Sequence, residues 1–535
     1  MVEFFYHKYL ILILAFALAH FTRQILLYLH LWQVKQYRWD RLKESFHEDY
    51  RVLLPKSAVV SFLVLASFFV LPYDGFLLLA LANFIFWGSY ALVQGVRKRW
   101  VYPRATSKGK VFFSFIWLAT VALGLAGLSW VPLYLPFLLL AVSVIWPLAV
   151  LMVLRIMEWP ANILKKRLIE KAKNRRAQLK NLTVIGITGS FGKTSVKEFL
   201  YHFLAEKYGQ DKVLKTERNT NTQLGVAQTI LNNLTSQHLF FVCEMGAYRV
   251  GEIAQSAELA RPNIGILTGI NNQHRSLFGS QENIIKAKYE LIQSLPPTSY
   301  SIFNGDNDYC IDLYRQTSDR KILVSSKGSR LANWQAQEVL IGKDSVSFKM
   351  VNRGQEILIS AKLVGRQNVI NLLLAGSAAL VLGLSPNELS QAAKTLPTPS
   401  GGPRIVPYRQ ASIINAVYSS NLDGAQIHIE HLELWSGRRI IVTPGLIELG
   451  ADASEAHYQL GKSIGRNCHL AIFTHDRYLK SVRAGISEVG GQTELIFARQ
   501  PEEIVRRLRE FDQQDDVILL EGRIPNQVMD LLQSV

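Results

Sequence analysis

TVIGITGSFGKTSVKEFL, residues Thr183 to Leu200, carries the clearest instruction in the chain. The β-branched run Thr183, Val184 and Ile185 predicts a strand, Gly189-Ser190-Phe191-Gly192 a turn, and Lys193-Thr194 the opening of a helix. A phosphate loop requires that order. Glycine lets successive backbone N–H groups approach an anion closely, and the positive end of the helix faces it. In such a loop Thr188, Gly189, Ser190 and Gly192 wrap the phosphates, Lys193 reaches the β/γ-phosphates, and the Thr194 hydroxyl holds Mg2+. Ile187 stands where the longer GxxxxGK[ST] pattern has its first glycine, so the motif is the shorter TGxxGK[ST]. The competing reading is a coincidental strand, turn and helix.

A chain of 535 residues has room for about three domains. Its formal charge of +17 first suggests nucleic acid. The placement argues against it: Lys and Arg gather beside apolar runs in the first third, and no basic stripe interleaved with aromatics follows. No nucleic-acid partner is expected; a membrane surface accounts for the charge better. Cys243, Cys310 and Cys468 lack C-x-x-C spacing, which speaks against a disulfide framework or a zinc site and fits a reducing compartment.

Before the loop, apolar runs occupy 9–32, about 57–72, 75–94, 111–130 and 133–154. Basic clusters fall between alternate runs: Lys35 to Lys56, Arg97 to Lys110, and Lys165 to Lys180. The positive-inside rule then predicts about five crossings over 1–157, with the N-terminus outside and the phosphate loop in the cytoplasm, where ATP is. The run at 57–72 is short enough to be tilted or re-entrant. Residues 158–180 read either as an amphipathic helix on the membrane surface or as a solvated basic linker.

From 181 onward strands alternate with helices, which predicts α/β architecture with a mostly parallel sheet. Candidate strands at 240–243 and 264–267 end at Glu244 and at Thr268 to Asn271, and ligands in such sheets sit at the carboxyl ends of strands. Short β segments are expected over about 320–362, and a helix over 368–383. The Pro- and Gly-rich stretch 397–403 marks a hinge. It separates a central ATP-binding domain, 181–397, from a Rossmann-like α/β domain, 398–535.

These residues together resemble the Mur ligase family over roughly 181–530, most of all its D-alanyl-D-alanine-adding, MurF-type branch. The resemblance rests on an ordered series: the loop at 188–194; Asn219-Thr220-Asn221 with Leu224-Gly225; Glu244-Met245-Gly246-Ala247; Asn271-Asn272-Gln273-His274. It continues through Ala287-Lys288-Tyr289-Glu290, Asn304-Gly305-Asp306, Gly365-Arg366-Gln367-Asn368 with Asn371, Gly402-Pro403-Arg404, and GLIELG at 445–450 with His457. The resemblance implies an ATP-dependent ligase of cell-wall peptidoglycan precursors, which phosphorylates a carboxylate and lets an amine attack the acyl-phosphate. It implies Mg2+ held by Thr194, Glu244, His274 and a carbamylated Lys288. It further implies adenine contacts from Asn368 and Asn371, and a nucleotide-reaching Arg404 at the hinge. Lys193, His274, Lys288 and Arg404 become the expected catalytic set.

The chain departs from that family in three places. Membrane runs stand where the family has its UDP-gripping domain, so the precursor is UDP-linked or lipid-linked. Gln367 replaces a histidine. Asn415-Ala416 replaces two acids, and Glu521 replaces a lysine. These changes keep two other readings open, a nucleotide-binding membrane scaffold or regulator of wall-synthesis partners, and an activating subunit for an amidotransferase. His428 and His431 have metal-like spacing on an expected helix, but without a third ligand they read as surface residues.

Overall fold

The computed structural model describes residues 2–34, 55–96, 100, 102–103, 106–130, 134–217, 220–271, 278–318, 320–399, 401–417, 421–446, 449 and 452–533. Two compact units emerge, Met1–Lys166 and Arg167–Val535.

The first unit is helical: α1 (Val2–Val34), α2 (Lys56–Ala66), α3 (Tyr73–Val96), α4 (Ser107–Trp130) and the start of α5 (Leu135–Gln178). Phe21, Trp32, Phe76, Phe84 and Leu140 fill its interior. Leu78, Phe86, Leu118, Leu123 and Met152 point outward, as side chains do when the surrounding medium is itself apolar. Helices occupy all five of the apolar runs expected to cross. Among the described residues four helices, α1, α3, α4 and α5, are long and apolar enough to cross a membrane. The run at 57–72 falls short because α2 has 11 residues, opened by Pro55 and followed by a 3-10 turn (Ser67–Phe69) before Pro72. At 1.5 Å per residue it covers about half of a hydrocarbon core.

Residues 158–178 are helical, continuing the apolar part of α5 without a break. Past the unit boundary, Ile169 and Ala172 lie in the core of the second unit with Leu182, Val184 and Phe241, so Ile169 is not a surface residue. The Arg176 guanidinium donates to the Ala260 and Leu179 carbonyls at 2.8 Å each.

The second unit holds two sheets. The first is built from β1 (Thr183–Thr188), α6 (Lys193–Tyr208), β2 (Val213–Lys215), α7 (Gln223–Asn232), β3 (Phe240–Glu244), α8 (Glu252–Ala260), β4 (Ile264–Leu267), α9 (Gln281–Gln293), β5 (Tyr300–Asn304), α10 (Asp308–Gln316) and β6 (Lys321–Ser325). After these come β7 (Trp334–Ile341), β8 (Val346–Asn352), β9 (Gln355–Ala361), α11 (Gln367–Val381) and α12 (Pro386–Lys394). Strand order is β2-β3-β1-β4-β5-β6-β7-β8-β9, parallel through β7 and antiparallel from β7 to β9. Every residue of β3 and β4 is buried, and apart from the terminal Glu244 these strands are apolar, as strands covered by helices on both faces are.

The second sheet comprises β10 (Arg404–Tyr408), β11 (Ala411–Ala416), α13 (Leu422–His431), β12 (Arg439–Thr443), α14 (Ala453–Asn467), β13 (Leu470–Phe473), α15 (Leu479–Glu488), β14 (Glu494–Phe497), α16 (Pro501–Leu508), β15 (Val517–Glu521) and α17 (Asn526–Gln533). Its order is β10-β11-β15-β12-β13-β14, with only β10 antiparallel. In the first sheet β1 is flanked by β3 and β4, which the chain reaches from opposite sides. Ligand crevices of open α/β sheets form where the order reverses in this way, at the carboxyl ends of the strands.

Candidate active site

At the carboxyl end of β1 the chain turns through Gly189 and Gly192 with φ of 151° and 78°. Neither accepts a side chain. A Cβ at Gly189 would lie 2.1 Å from Thr268 Oγ1, and one at Gly192 would lie 2.7 Å from Asn371 Oδ1. The loop is pinned from the β4 side, where Ser190 N donates to the Gly269 carbonyl at 2.7 Å and Asn271 N donates to Ser190 Oγ at 3.2 Å. Thr188 Oγ1 donates to the Met245 carbonyl at 2.8 Å, which ties β1 to the end of β3. Lys193 Nζ folds back to the Gly189 and Ser190 carbonyls at 2.7 and 3.1 Å. Burial lowers its pKa, and Glu244 opposes that shift.

Glu244, in register with Ile187 of β1, is the anionic centre of the site. Its Oε2 accepts from Thr194 Oγ1 and its Oε1 from Asn221 Nδ2, each at 3.0 Å. The Lys197 ammonium lies 3.4 Å from Oε2 and is fully buried. Burial alone would raise the Glu244 pKa; Lys193, Lys197 and the two donors outweigh it and hold the carboxyl below its ordinary range. Lys288 on α9 lies 5.6 Å from the centre of the Phe278 ring. Burial, with Lys193 adding to it, lowers its pKa to about 7. A cleft lined by Gly189, Ser190, Lys193, Asn221, Phe278 and Lys288 joins these groups.

The remaining expected residues are placed less centrally. Asn368 and Asn371 are buried in the first turn of α11; Asn368 Nδ2 donates to the Val364 carbonyl at 2.9 Å, while Asn371 abuts Gly192. Arg404 opens β10, exposed and opposite Asn415. His274 lies outside the described residues. Among those described, no three His, Cys, Asp or Glu side chains gather. The Thr194 hydroxyl and Glu244 carboxylate are nonetheless hard oxygen donors of the kind Mg2+ takes when substrate phosphates complete its shell, so the residues present fit that ion.

Two members of this constellation escaped the sequence reading as site residues. Asn221 stood inside a quoted motif without a role, and Lys197 was not singled out. The signal for Lys197 was its position one helical turn beyond Lys193, on the same face of α6.

A profile of the Mur ligase middle domain matches residues 187–379. The chain carries a Mur ligase middle domain. The UDP-N-acetylmuramoyl-tripeptide–D-alanyl-D-alanine ligase of Escherichia coli is 28% identical over 283 residues, 52% of this chain and 61% of that protein. Its Synechocystis counterpart is 30% identical over 322 residues, 58% of this chain and 66% of that protein. The chain thus spans less than two thirds of the length of these ligases. In fold it is similar to the MurF ligase from Thermotoga maritima, whose structure is a complex with ADP. The TM-score is 0.60 at 22% identity, covering 69% of this chain and 83% of that one.

The end of the second sheet differs from the Mur-type expectation and from the surface reading of its histidines. Ala416 is in register with Glu521, which is 1% exposed and whose Oε2 lies 2.7 Å from His428 Nδ1. Burial raises the Glu521 pKa, against the pull of His428. His431 is buried too, with Nε2 2.9 Å from the Lys343 carbonyl. Neither histidine is a surface residue, because the face of α13 that bears them packs inward. His457 Nε2 accepts from Leu446 N at 3.0 Å and Nδ1 donates to the Ala453 carbonyl at 2.6 Å, which holds the turn after β12. A hydrogen bond links the crevice to α13, from Asn271 Nδ2 to Asp423 Oδ2 at 2.7 Å.

Proposed function

We propose that the chain is a membrane-anchored, ATP- and Mg2+-dependent Mur-type ligase of the MurF kind, forming an amide bond on a cell-wall peptide precursor. The observation that carries this reading is one cleft lined by the glycine loop, Lys193 and Lys288, with the Thr194–Glu244 pair hydrogen-bonded behind its Asn221 wall. The loop N–H groups and Lys193 bind and neutralise the ATP phosphates, while Asn368 and Asn371 border the adenine and Arg404 reaches in from the hinge. Thr194 and Glu244, with His274 as the resemblance implies, would hold Mg2+, which would add to the neutralisation of the phosphates. Lys193 steadies the γ-phosphoryl group as the precursor carboxylate attacks it and ADP departs; the amine of an amino acid or dipeptide then attacks the acyl-phosphate carbonyl, loses a proton and displaces phosphate.

Lys288 fits a second role. With its pKa near 7 a large fraction of the amine is neutral, so its nitrogen can add to CO2, lose a proton and become a carbamate. A site rich in ammonium groups favours the negative charge so formed. The apolar helices, with the 57–72 run counted as a fifth and tilted crossing, anchor the chain, with the ligase domains at the cytoplasmic face and the N-terminus outside. The precursor is UDP-linked or, given the membrane region, lipid-linked.

Detergent-purified protein tests this directly. Phosphate release from ATP is expected only when a precursor and an amine, such as D-alanyl-D-alanine, are both present, and is expected to vanish in Lys193→Ala. ATP binding with no precursor-stimulated release would instead favour the scaffold or activating-subunit reading, for which Asn415, Ala416 and the buried Glu521 speak.

A further inference from the structure

The helical unit contains a polar seam that packing between helices does not account for. His20 and Gln24 on α1, Ser57 and Ser61 on α2, and Asn83 on α3 are each at least 94% buried, with residual exposures of 3%, 4%, 5%, 1% and 6%. Gln24 Nε2 lies 2.9 Å from His20 Nε2 and donates to Ser57 Oγ at 3.1 Å. Asn83 Nδ2 donates to Ser61 Oγ at 3.2 Å. Side-chain bonds of this kind are the usual glue of membrane helices, but glue pairs its polar atoms with one another. Here His20 Nδ1, Gln24 Oε1, Asn83 Oδ1 and Trp87 Nε1 have no hydrogen-bond partner among the described residues. In an apolar medium a polar atom left unpaired is costly, since neither water nor lipid tail can bond it.

The seam opens where positive charge collects. Ser57, which Gln24 touches, sits in the first turn of α2, whose N-cap is Pro55 and which has no side-chain cap. The first backbone bond of that helix runs from Ala58 N to the Pro55 carbonyl, so the N–H groups of Lys56 and Ser57 precede it. The next residue of α1, Arg23, lies with its guanidinium 5.1 Å from the centre of the Tyr90 ring on α3. No ion pair with a carboxylate holds Arg23 among the described residues. Tyr90 is six residues from the end of α3 at Val96, about 9 Å along the axis, beyond which the sequence reads Arg97-Lys98-Arg99.

We infer that this seam binds a lipid headgroup carrying both phosphate and hydroxyls. The phosphate takes Arg23, Lys56 and the uncapped start of α2, and hydroxyls beneath it donate to Gln24 Oε1 and Asn83 Oδ1. When Gln24 donates to His20 Nε2, the ring proton is left on Nδ1, which with Trp87 Nε1 supplies donors for the hydroxyl oxygens. Buried unpaired polar atoms beneath an unneutralised arginine are the mark of a functional site in a membrane protein. The inference rests on the membrane reading of the helices.

Native mass spectrometry of the full chain, released from phosphatidylcholine nanodiscs doped with phosphatidylglycerol, phosphatidic acid or a polyprenyl phosphate, tests it. One retained phosphatidylglycerol is expected. Retention should fall at least about tenfold in Arg23→Gln, as for a lost charge-assisted bond. Asn83→Leu should remove the preference for phosphatidylglycerol over phosphatidic acid while leaving one phosphate lipid bound. Preferential retention of polyprenyl phosphate would make the carrier the occupant in place of a phospholipid hydroxyl head. Soluble glycerol 3-phosphate should not compete; if it does, the ligand is the free phosphate. Equal retention in all variants and lipids, with Gln24→Leu raising the thermal midpoint, would overturn the inference and leave the seam as helix glue. Extraction of the chain from membranes by alkaline carbonate would separately refute the membrane reading.

Discussion

Both sheets of the second unit are parallel α/β layers whose working ends are the carboxyl ends of their central strands, yet they treat charge in opposite ways. Around β1, β3 and β4 the ammonium groups of Lys193 and Lys197 face the Glu244 carboxylate, Lys288 with its lowered pKa lies near Lys193, and the glycine loop adds backbone N–H donors. The end of β11, β15 and β12 offers Asn415, Ala416, and a Glu521 that burial keeps toward its neutral form beside His428. The first arrangement is one that a polyanion completes. The second is internally balanced and asks little of a ligand's charge. On the proposed function, nucleotide chemistry belongs to the first end, and the choice of amine at the second rests on shape and neutral hydrogen bonds.

Three perturbations test that contrast, in order of expected size. Lys193→Ala removes a cation aimed at the phosphates and should lower ATP turnover by about 100- to 1,000-fold, as loss of a preorganised electrostatic group does. Its thermal midpoint should stay near that of the wild type, since Lys193 bonds only carbonyls of its own loop; comparable loss of both activity and folding would make the lysine structural. His428→Ala acts at the other end. It strands the buried Glu521 and should destabilise the chain by about 1–3 kcal/mol in denaturant titrations while leaving nucleotide affinity unchanged. A loss of nucleotide affinity would join the two ends and break the comparison.

The smallest effect concerns Lys288. Its lowered pKa means the neutral amine gains as pH rises through about 7. Carbon-13 spectra of protein equilibrated with labelled bicarbonate should therefore show a carbamate signal that grows from about pH 6 to about pH 8 and is missing from Lys288→Arg. The sign is fixed by linkage: the native state binds fewer protons than the unfolded chain between the lowered pKa and the usual lysine value, so the same lysine adds stability as pH rises through that window. A signal that falls with rising pH would contradict the burial account.

The first end was largely legible in the sequence because its chemistry is local. The run from Thr183 to Thr194 states strand, turn and helix in order, and Glu244 follows a short apolar run that could only be a buried strand. Lys197 was not legible, since a lysine at that spacing reads as a solvated helix face until β3 is known to pack against it. Long-range register also decided the second end. Glu521 and His428 are 93 residues apart and meet only because β15 pairs with β11 and α13 lies across both. Hydropathy alone located the apolar runs but not that α2 stops at Ala66, after 11 residues, and gives way to a 3-10 turn.

Isotope transfer probes the central claim most directly. A precursor labelled with heavy oxygen in its reacting carboxylate is incubated with the protein, ATP, Mg2+ and D-alanyl-D-alanine, and the released phosphate is analysed by mass spectrometry. An acyl-phosphate ligase hands one labelled oxygen to the phosphate for every amide formed, which is the predicted result. Phosphate released without label, or with label but no amide product, would contradict the account.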